Sequence, residues 1–359
     1  MDINSKFEIQ NSKLFDRCGV VYFIPAHKID TGSLKQIFSH TKFLASFPAQ
    51  SNIGVKVHFG EDRNHNHLSP QYVKSIVDIV KADNLKPTLI ETSTLYRGAR
   101  QNRTNHIELA HKHGFTENNV GAKIDIVDGE RGEEFKAVPT NFRNIKSAKI
   151  AKGLDYYDGL LNLAHYKGHF VVGFGGVIKN IAMGLAAKGG KLEMHSLTKP
   201  TVKKDKCNKC EVCLSVCPVD AIEITEQSAV LGKSCIGCAS CIEVCPEGAI
   251  RINWNEASES TQKKMAEYTW AILHNRKSLH FNFALKITPN CDCMDRTEKP
   301  IMPDIGVFAS LDPVACDMAV WEKTQKNIDK LYPELNPQLL MDYAQELGLG
   351  YKTYQISEI

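Results

Sequence analysis

An excess of charge of either sign is nearly absent from this chain: 44 Lys and Arg stand against 41 Asp and Glu, a formal net charge of +3. No Lys/Arg-rich block concentrates it, so nothing here forms the basic face that a nucleic-acid partner needs. Long apolar runs are also missing. None approaches the roughly 18 residues that a membrane span requires, and no membrane partner is expected. The first residues, Met1-Asp2-Ile3-Asn4-Ser5-Lys6, lack the basic-then-apolar order of a secretory leader. No stretch matches the dinucleotide fingerprint or the Walker loop. What remains is the composition of an ordinary soluble globular protein, 43% hydrophobic and 24% charged, over 359 residues. That length fits roughly two domains.

Cysteine is what the chain does have. Eight of its twelve lie between Lys206 and Ile252, in two copies of one pattern. The first is Cys207-x-x-Cys210-x-x-Cys213-x-x-x-Cys217-Pro218, and the second is Cys235-x-x-Cys238-x-x-Cys241-x-x-x-Cys245-Pro246, offset by 28 residues. A short apolar run follows each, Ala221–Ile224 and Ala249–Ile252. This is the spacing of a bacterial-type ferredoxin with two [4Fe-4S] clusters. Three thiolates on one tight loop reach three irons of a cubane, and the fourth iron takes the Cys-Pro cysteine of the other repeat. The expected quartets are therefore Cys207, Cys210, Cys213 and Cys245, and Cys235, Cys238, Cys241 and Cys217. Metal then holds together a segment too short for a core of its own. The competing readings are zinc sites and disulfides. Zinc usually pairs two Cys-x-x-Cys knuckles, without a third thiolate or a Cys-Pro. Cysteines spaced for clusters rather than for disulfides fit a reducing cytoplasm.

The rest of the chain alternates strand and helix. Strands are predicted at Cys18–Pro25, Ile53–Phe59, Pro87–Glu91, Lys123–Val127, Asp158–Ala164 and His280–Leu285. The apolar run at Asp158–Ala164 is of the kind buried on both faces. Helices are predicted to open at Ser69-Pro70, Ser258, Asp312-Pro313 and Asn336-Pro337, the first with N-cap and N1 residues in the preferred order. Others run through His106 to His113 and over Val177 to Ala186. The alternation predicts a layered α/β domain with a mixed or parallel sheet. Because it resumes after Ile252, the domain is discontinuous: 1–202 and 253–359 make the α/β unit, and 203–252 is an inserted α+β module.

Three further groups stand out. His165-x-Lys167-x-His169 follows the apolar strand, where ligands of an open α/β sheet gather. The two His are candidates for metal ligation or acid–base work, and Lys167 for pairing with an anionic substrate. A loop whose His residues bond backbone is the plainer reading. Gly173–Gly176 precedes a helix carrying Lys179 and Asn180. Its Gly175 and Gly176 would let backbone approach an anion, or would serve close packing. Cys291-Asp292-Cys293 places two thiols that point the same way in extended chain and could share an additional metal with a His. A disulfide over so short a span is geometrically strained. Lys56, at a strand end with His58 and Glu61, is a further candidate anion contact. His65 and His67 read as solvated, and Cys18 and Cys316 as packed.

With these residues in view the chain resembles the domain-of-unknown-function 362 family, in its ferredoxin-containing branch. The segments that carry the likeness are Val55–Glu61, Thr94-Leu95-Tyr96, His165–His169, Gly173–Gly176 with Lys179-Asn180, Cys291–Cys293, Pro303–Gly306 and Asp312–Ala315. The resemblance implies an iron–sulfur protein without naming a reaction. Asn64–His67 replaces a Thr-containing loop of the family, and Cys316 stands where an aliphatic residue is usual.

The function expected from sequence is a cytoplasmic oxidoreductase with two [4Fe-4S] clusters. Its α/β pocket would use His165, Lys167, His169, Cys291 and Cys293, with Lys56 and Lys179 as anion contacts. A ferredoxin-like redox partner and a small-molecule substrate go with that reading. Two alternatives stand beside it: an electron carrier whose α/β domain only docks partners, and a non-redox enzyme with structural clusters.

Overall fold

The computed structural model describes residues 18–196, 199–252 and 257–359; the first residues, read above for a leader, lie outside them. Eight strands form one sheet: β1 (Gly19–Pro25), β2 (Asn52–Val57), β3 (Lys86–Glu91), β4 (Lys123–Ile126), β5 (Gly159–His165), β6 (Lys277–Ala284), β7 (Gly306–Ser310) and β8 (Tyr354–Glu358). Their order is β8-β1-β7-β6-β5-β2-β3-β4. Strand β7 runs antiparallel to β1 and β6, and the other neighbours are parallel. The order reverses between β2 and β5, which pair with Val55 opposite Leu161 and Lys56 opposite Asn162. Such a switch point leaves a crevice beyond the carboxyl ends of the strands.

Apolar side chains on both faces bury the sheet from both sides. In β5 all seven residues are buried. Leu160 and Ala164 join one core, and Leu161 and Leu163 the other, as the two-residue period of a strand dictates. Helix α1 (Pro70–Ala82) covers the second face with Val73, Ile76, Val77 and Val80. Its N-cap is Ser69, whose hydroxyl accepts the Gln71 N–H at 3.3 Å. Helices α2 (Val177–Leu185), α3 (Ser258–Leu273) and α4 (Pro313–Leu331) cover the first face. Asp312 caps α4 by accepting from the N–H groups of Val314 and Ala315. Helix α3 opens at Ser258, which is its first helical residue and not its cap: Ala257 holds the cap position without a side-chain bond, and the Ser258 hydroxyl accepts from Gln262. Among the described residues no helix is long and apolar enough to cross a membrane.

Strand β5 belongs to the chain before the cysteine segment and β6 to the chain after it. They pair in parallel at the centre of the sheet, with Leu161 opposite Leu279 and Leu163 opposite Phe281. Between them the cysteine segment forms a small third core of Cys213, Cys241, Ile242, Cys245 and Ile250, joined by Leu95 and Leu192 from the α/β part. Two short ribbons frame it: Thr201–Val202 with Ile250–Arg251, and Ile222–Ile224 with Ala229–Leu231.

Beyond β5 the chain makes a small hairpin, Lys167–His169 against Gly173–Gly175. Gly168 lies flat on the segment leading to Cys291, donating its N–H to the Thr288 carbonyl at 2.9 Å. A Cβ at that position would fall 2.2 Å from the Pro289 carbonyl oxygen, and the atoms it meets are all Pro289 backbone, not the end of a flexible side chain. Gly168→Ala is expected to destabilise the fold by about 1–3 kcal/mol, read as a lower urea midpoint at unchanged slope; an unchanged midpoint would refute this account of the contact.

Candidate functional site

The two cysteine repeats share a backbone conformation as well as a spacing. Left-handed residues occur at Lys209 and Gly237 (φ 58° and 67°), at Glu211 and Ala239 (62° and 66°), and at Asp220 and Gly248 (46° and 56°). Each pair is separated by the same offset as the cysteines. Four of the six are not glycine, and an L-residue adopts this region only when its surroundings fix it there.

The loops so wound line two small cavities of about 20 Å³ each. One is bounded by Cys207, Cys210, Cys213 and Cys245, with Ile224, Ala229 and Ile250. The other is bounded by Cys217, Cys235, Cys238 and Cys241, with Val216, Ile222 and Leu231. Each cavity thus draws three cysteines from one repeat and the Cys-Pro cysteine from the other. Backbone N–H groups point at the sulfurs: Ala221 to Cys217 at 3.1 Å, Ala249 to Cys245 at 3.2 Å, and Ala229 to Cys207 at 3.3 Å. Burial pushes the Cys241 thiol up to about 12 and raises that of Cys213. Such thiols become thiolates only when positive charge is brought to them. Among the described residues no group of three or more His, Cys, Asp or Glu side chains could hold a single metal ion.

The segment docks on the loop after β3. Leu95 enters its core, and the Arg97 guanidinium donates from Nη1 to the carbonyls of Cys245 (3.0 Å) and Pro246 (3.3 Å). A nearly buried ion pair, Lys188–Glu243 at 2.6 Å, and a bond from Lys149 Nζ to the Ile236 carbonyl complete the seam.

On the other side of that loop, beyond the carboxyl ends of β2, β3 and β5, lies a buried ionic network. Lys56 Nζ is 3.1 Å from Glu91 Oε2 and donates to Asn180 Oδ1 at 3.0 Å. Arg100 Nε donates to Glu61 Oε1 at 2.8 Å, and its Nη2 to Tyr96 Oη at 2.6 Å. Tyr96 Oη also lies 3.0 Å from Glu61 Oε1 and 3.3 Å from the Cys293 carbonyl oxygen. Asp292, fully buried, takes Lys167 Nζ at 2.8 Å and His165 Nδ1 at 2.9 Å. His165 Nε2 is 2.7 Å from the Leu285 carbonyl. With an acceptor facing each ring nitrogen, both hydrogen bonds form only if both nitrogens carry hydrogen. Burial by itself raises the Asp292 carboxyl, but the charges of His165 and Lys167 overcome it and hold the group well below the usual carboxylate range.

Three cations in this network, Lys56, Arg100 and Lys167, each have a carboxylate. The fourth, Lys179, has none among the described residues: its Nζ lies 3.8 Å from Cys291 Sγ. Burial, then the nearby charge of Lys167, pull Lys179 down to about 7.

Several expectations are corrected here. Cys291 and Cys293 are joined to each other as a disulfide, with Cα atoms 5.2 Å apart. In that state neither sulfur is a thiolate, so the additional metal expected at Cys291/Cys293 has no ligands there. Gly176 does not open an anion site. The N–H groups of Val177 and Ile178 donate to the two oxygens of Asp317 at 2.7 and 2.9 Å, and a Gly176 Cβ would meet Asp317 at 2.2 Å. The acceptor at this helix start is the protein's own Asp317 carboxyl, which burial raises to about 7. Gly175 packs against the Lys179 side chain. His169 turns away from Asp292: its Nδ1 accepts the N–H groups of Val171 and Val172 within the hairpin turn. Burial holds it well below its ordinary value, so it is neutral. Lys56 is committed to Glu91. His67 is half-buried, stacked on His113 at 4.6 Å, whereas His65 is exposed. Cys316 is packed within the core. The hub role of Asp292 and the parts of Arg100 and Tyr96 had no signal in the spacing of the chain.

A family model described as "Domain of unknown function (DUF362)" matches residues 53–322. No curated protein matches. Among solved structures, a Thermotoga maritima protein determined as a structural-genomics target is 11% identical with a TM-score of 0.45, over 85% of this chain and 60% of that one. The lactate racemase apoprotein from Thermoanaerobacterium thermosaccharolyticum is 11% identical with a TM-score of 0.39, over 85% and 57%. The chain thus spans less than two thirds of the length of either.

Asp292→Asn leaves Lys167 and His165 buried without their counter-charge, and is expected to cost about 3–5 kcal/mol in chemical denaturation at neutral pH. The sign with pH follows from the lowered carboxyl. Its contribution is full above the unfolded value of about 4 and is lost as pH falls from there through the folded one. The gap between wild type and variant should therefore narrow in acid; a gap that widens would refute the assignment.

Proposed function

This chain belongs to the family described as domain of unknown function 362, and we propose that it is an iron–sulfur oxidoreductase carrying two [4Fe-4S] clusters. One would be held by Cys207, Cys210, Cys213 and Cys245, the other by Cys235, Cys238, Cys241 and Cys217. The observation that carries the reading is the crossed membership of the two four-thiol cavities. Zinc knuckles do not exchange a Cys-Pro cysteine between two repeats. The N–H groups on Cys217, Cys245 and Cys207 are of the kind that stabilise sulfur charge and tune potential. When bound, such clusters supply one-electron transfer.

The α/β part receives those electrons. Residues Leu95 to Arg97 touch the cysteine segment on one side and the buried network on the other, so donor and acceptor regions share one short loop. A pure carrier needs no Asp292–His165–Lys167 set, which is costly to bury. That network, with Lys179 nearest the sulfurs, orients charge around Cys291 and excludes water from it. A low-potential redox protein is the expected electron partner, in a reducing cytoplasm, and a small molecule the expected substrate.

Protein purified without oxygen should contain about eight irons and eight acid-labile sulfides per chain. Cys217→Ser and Cys235→Ser should each remove about half of both, and the double variant no more than either alone, because the two cysteines serve one cluster. One or two zincs per chain without sulfide would end this reading. Additive iron loss in the double variant would end the crossed assignment.

A further inference from the structure

A cross-link between residues two apart closes almost no loop, so Cys291–Cys293 adds little as a staple. Loop-closure entropy, the main source of disulfide stabilisation in the chain-entropy account, grows with the length enclosed. Its surroundings are those of a reactive sulfur. Cys291 is buried and Cys293 half-buried. The Lys179 ammonium, the one cation of the network without a carboxylate among the described residues, stands 3.8 Å from Cys291 Sγ. The Cys293 N–H points at the same sulfur from 3.2 Å. A cation and an N–H donor on one sulfur are what lower the energy of a thiolate. The Cys293 carbonyl is 3.3 Å from Tyr96 Oη, and the next residue, Arg97, holds the Cys245 carbonyl. Two residues therefore separate this bond from one of the four-thiol cavities.

We propose that Cys291 and Cys293 form a redox-active cystine, the two-electron acceptor for equivalents delivered by the cysteine segment. The proposal rests on the two-cluster reading above. The S–S bond breaks on receipt of two electrons, taken one at a time from reduced iron–sulfur centres, each of which is oxidised by one electron. The Cys291 sulfur is left as a thiolate facing Lys179, and the Cys293 sulfur, the more exposed of the two, takes one proton from solvent. The centre so formed converts one-electron delivery into a two-electron dithiol.

The test uses the iron-loaded full chain, reduced by illuminated deazaflavin, a one-electron donor. It is then quenched in acid with N-ethylmaleimide and digested with trypsin. Peptide Ile287–Arg296 contains Cys291 and Cys293 and none of the ten other cysteines. It should carry no label before illumination and two labels after, and wild type should consume about four electrons per chain against about two for Cys291→Ser. Lys179→Met should retain both clusters by iron assay and slow the appearance of label at least tenfold. Label present before illumination, or absent once the clusters are fully reduced by electron paramagnetic resonance, overturns the cystine centre and leaves the two-cluster reading standing. Protein without iron and sulfide fails the two-cluster reading on its own assay, and the cystine centre loses its donor with it.

Discussion

A carboxylate with no exposure to water is tolerable only while its counter-charges stay in place, and Asp292 has two, Lys167 and His165. The three come from different parts of the chain: His165 ends β5, Lys167 opens the hairpin beyond it, and Asp292 lies in the segment after β6. Their pairing fixes that segment against the central strands. It thereby fixes the two sulfurs on either side of Asp292, the Tyr96 contact to the Cys293 carbonyl, and the path back to the cysteine segment. Removing one partner leaves a buried charge unsatisfied, which costs far more than the pair returns when intact. The arrangement reads as one retained for a site rather than for stability alone.

Burial acts in opposite directions on the two halves of the molecule. In the α/β part it assembles carboxylates and cations into neutralising pairs and leaves one lysine over. In the cysteine segment it raises Cys241 and Cys213, so those thiols stay neutral until positive charge arrives. The segment's core is small and shares Leu95 and Leu192 with its neighbour. Each half is therefore complete only with something the other brings.

The α/β layering was legible because it depends on periodicity. The near-continuous apolar run ending in Leu163-Ala164 could only be a strand buried twice, and Ser69-Pro70 and Asp312-Pro313 open helices where caps predict. The grouping of the cysteines around two cavities was legible because their spacing is a local, repeated pattern. Contacts between distant residues were not. Nothing about Asp317, far along the chain, signals that it would cap the helix after Gly176, so glycines that make room for a side chain read like glycines that make room for a ligand. Arg100 gave no signal because its carboxylate partner, Glu61, lies beyond β2 and meets it only once β2 and β3 are side by side. His169 was misleading for a simpler reason: its spacing from His165 suggests a pair, but a hairpin sends the two rings to different neighbours.

The pairing of β5 with β6 has a consequence for how the chain is made. These central strands are neighbours in the sheet, yet the whole cysteine segment is synthesised between them. As the chain leaves the ribosome, β5 emerges with one edge unpaired and its apolar side chains on both faces, and it stays so until β6 follows. An open apolar edge is the feature by which nascent chains stick to one another. During that interval the cysteine repeats emerge beside an unfinished sheet, with β2 already available on the other side of β5. The order of the chain thus ties the safe completion of the large sheet to the time taken to produce the cysteine segment.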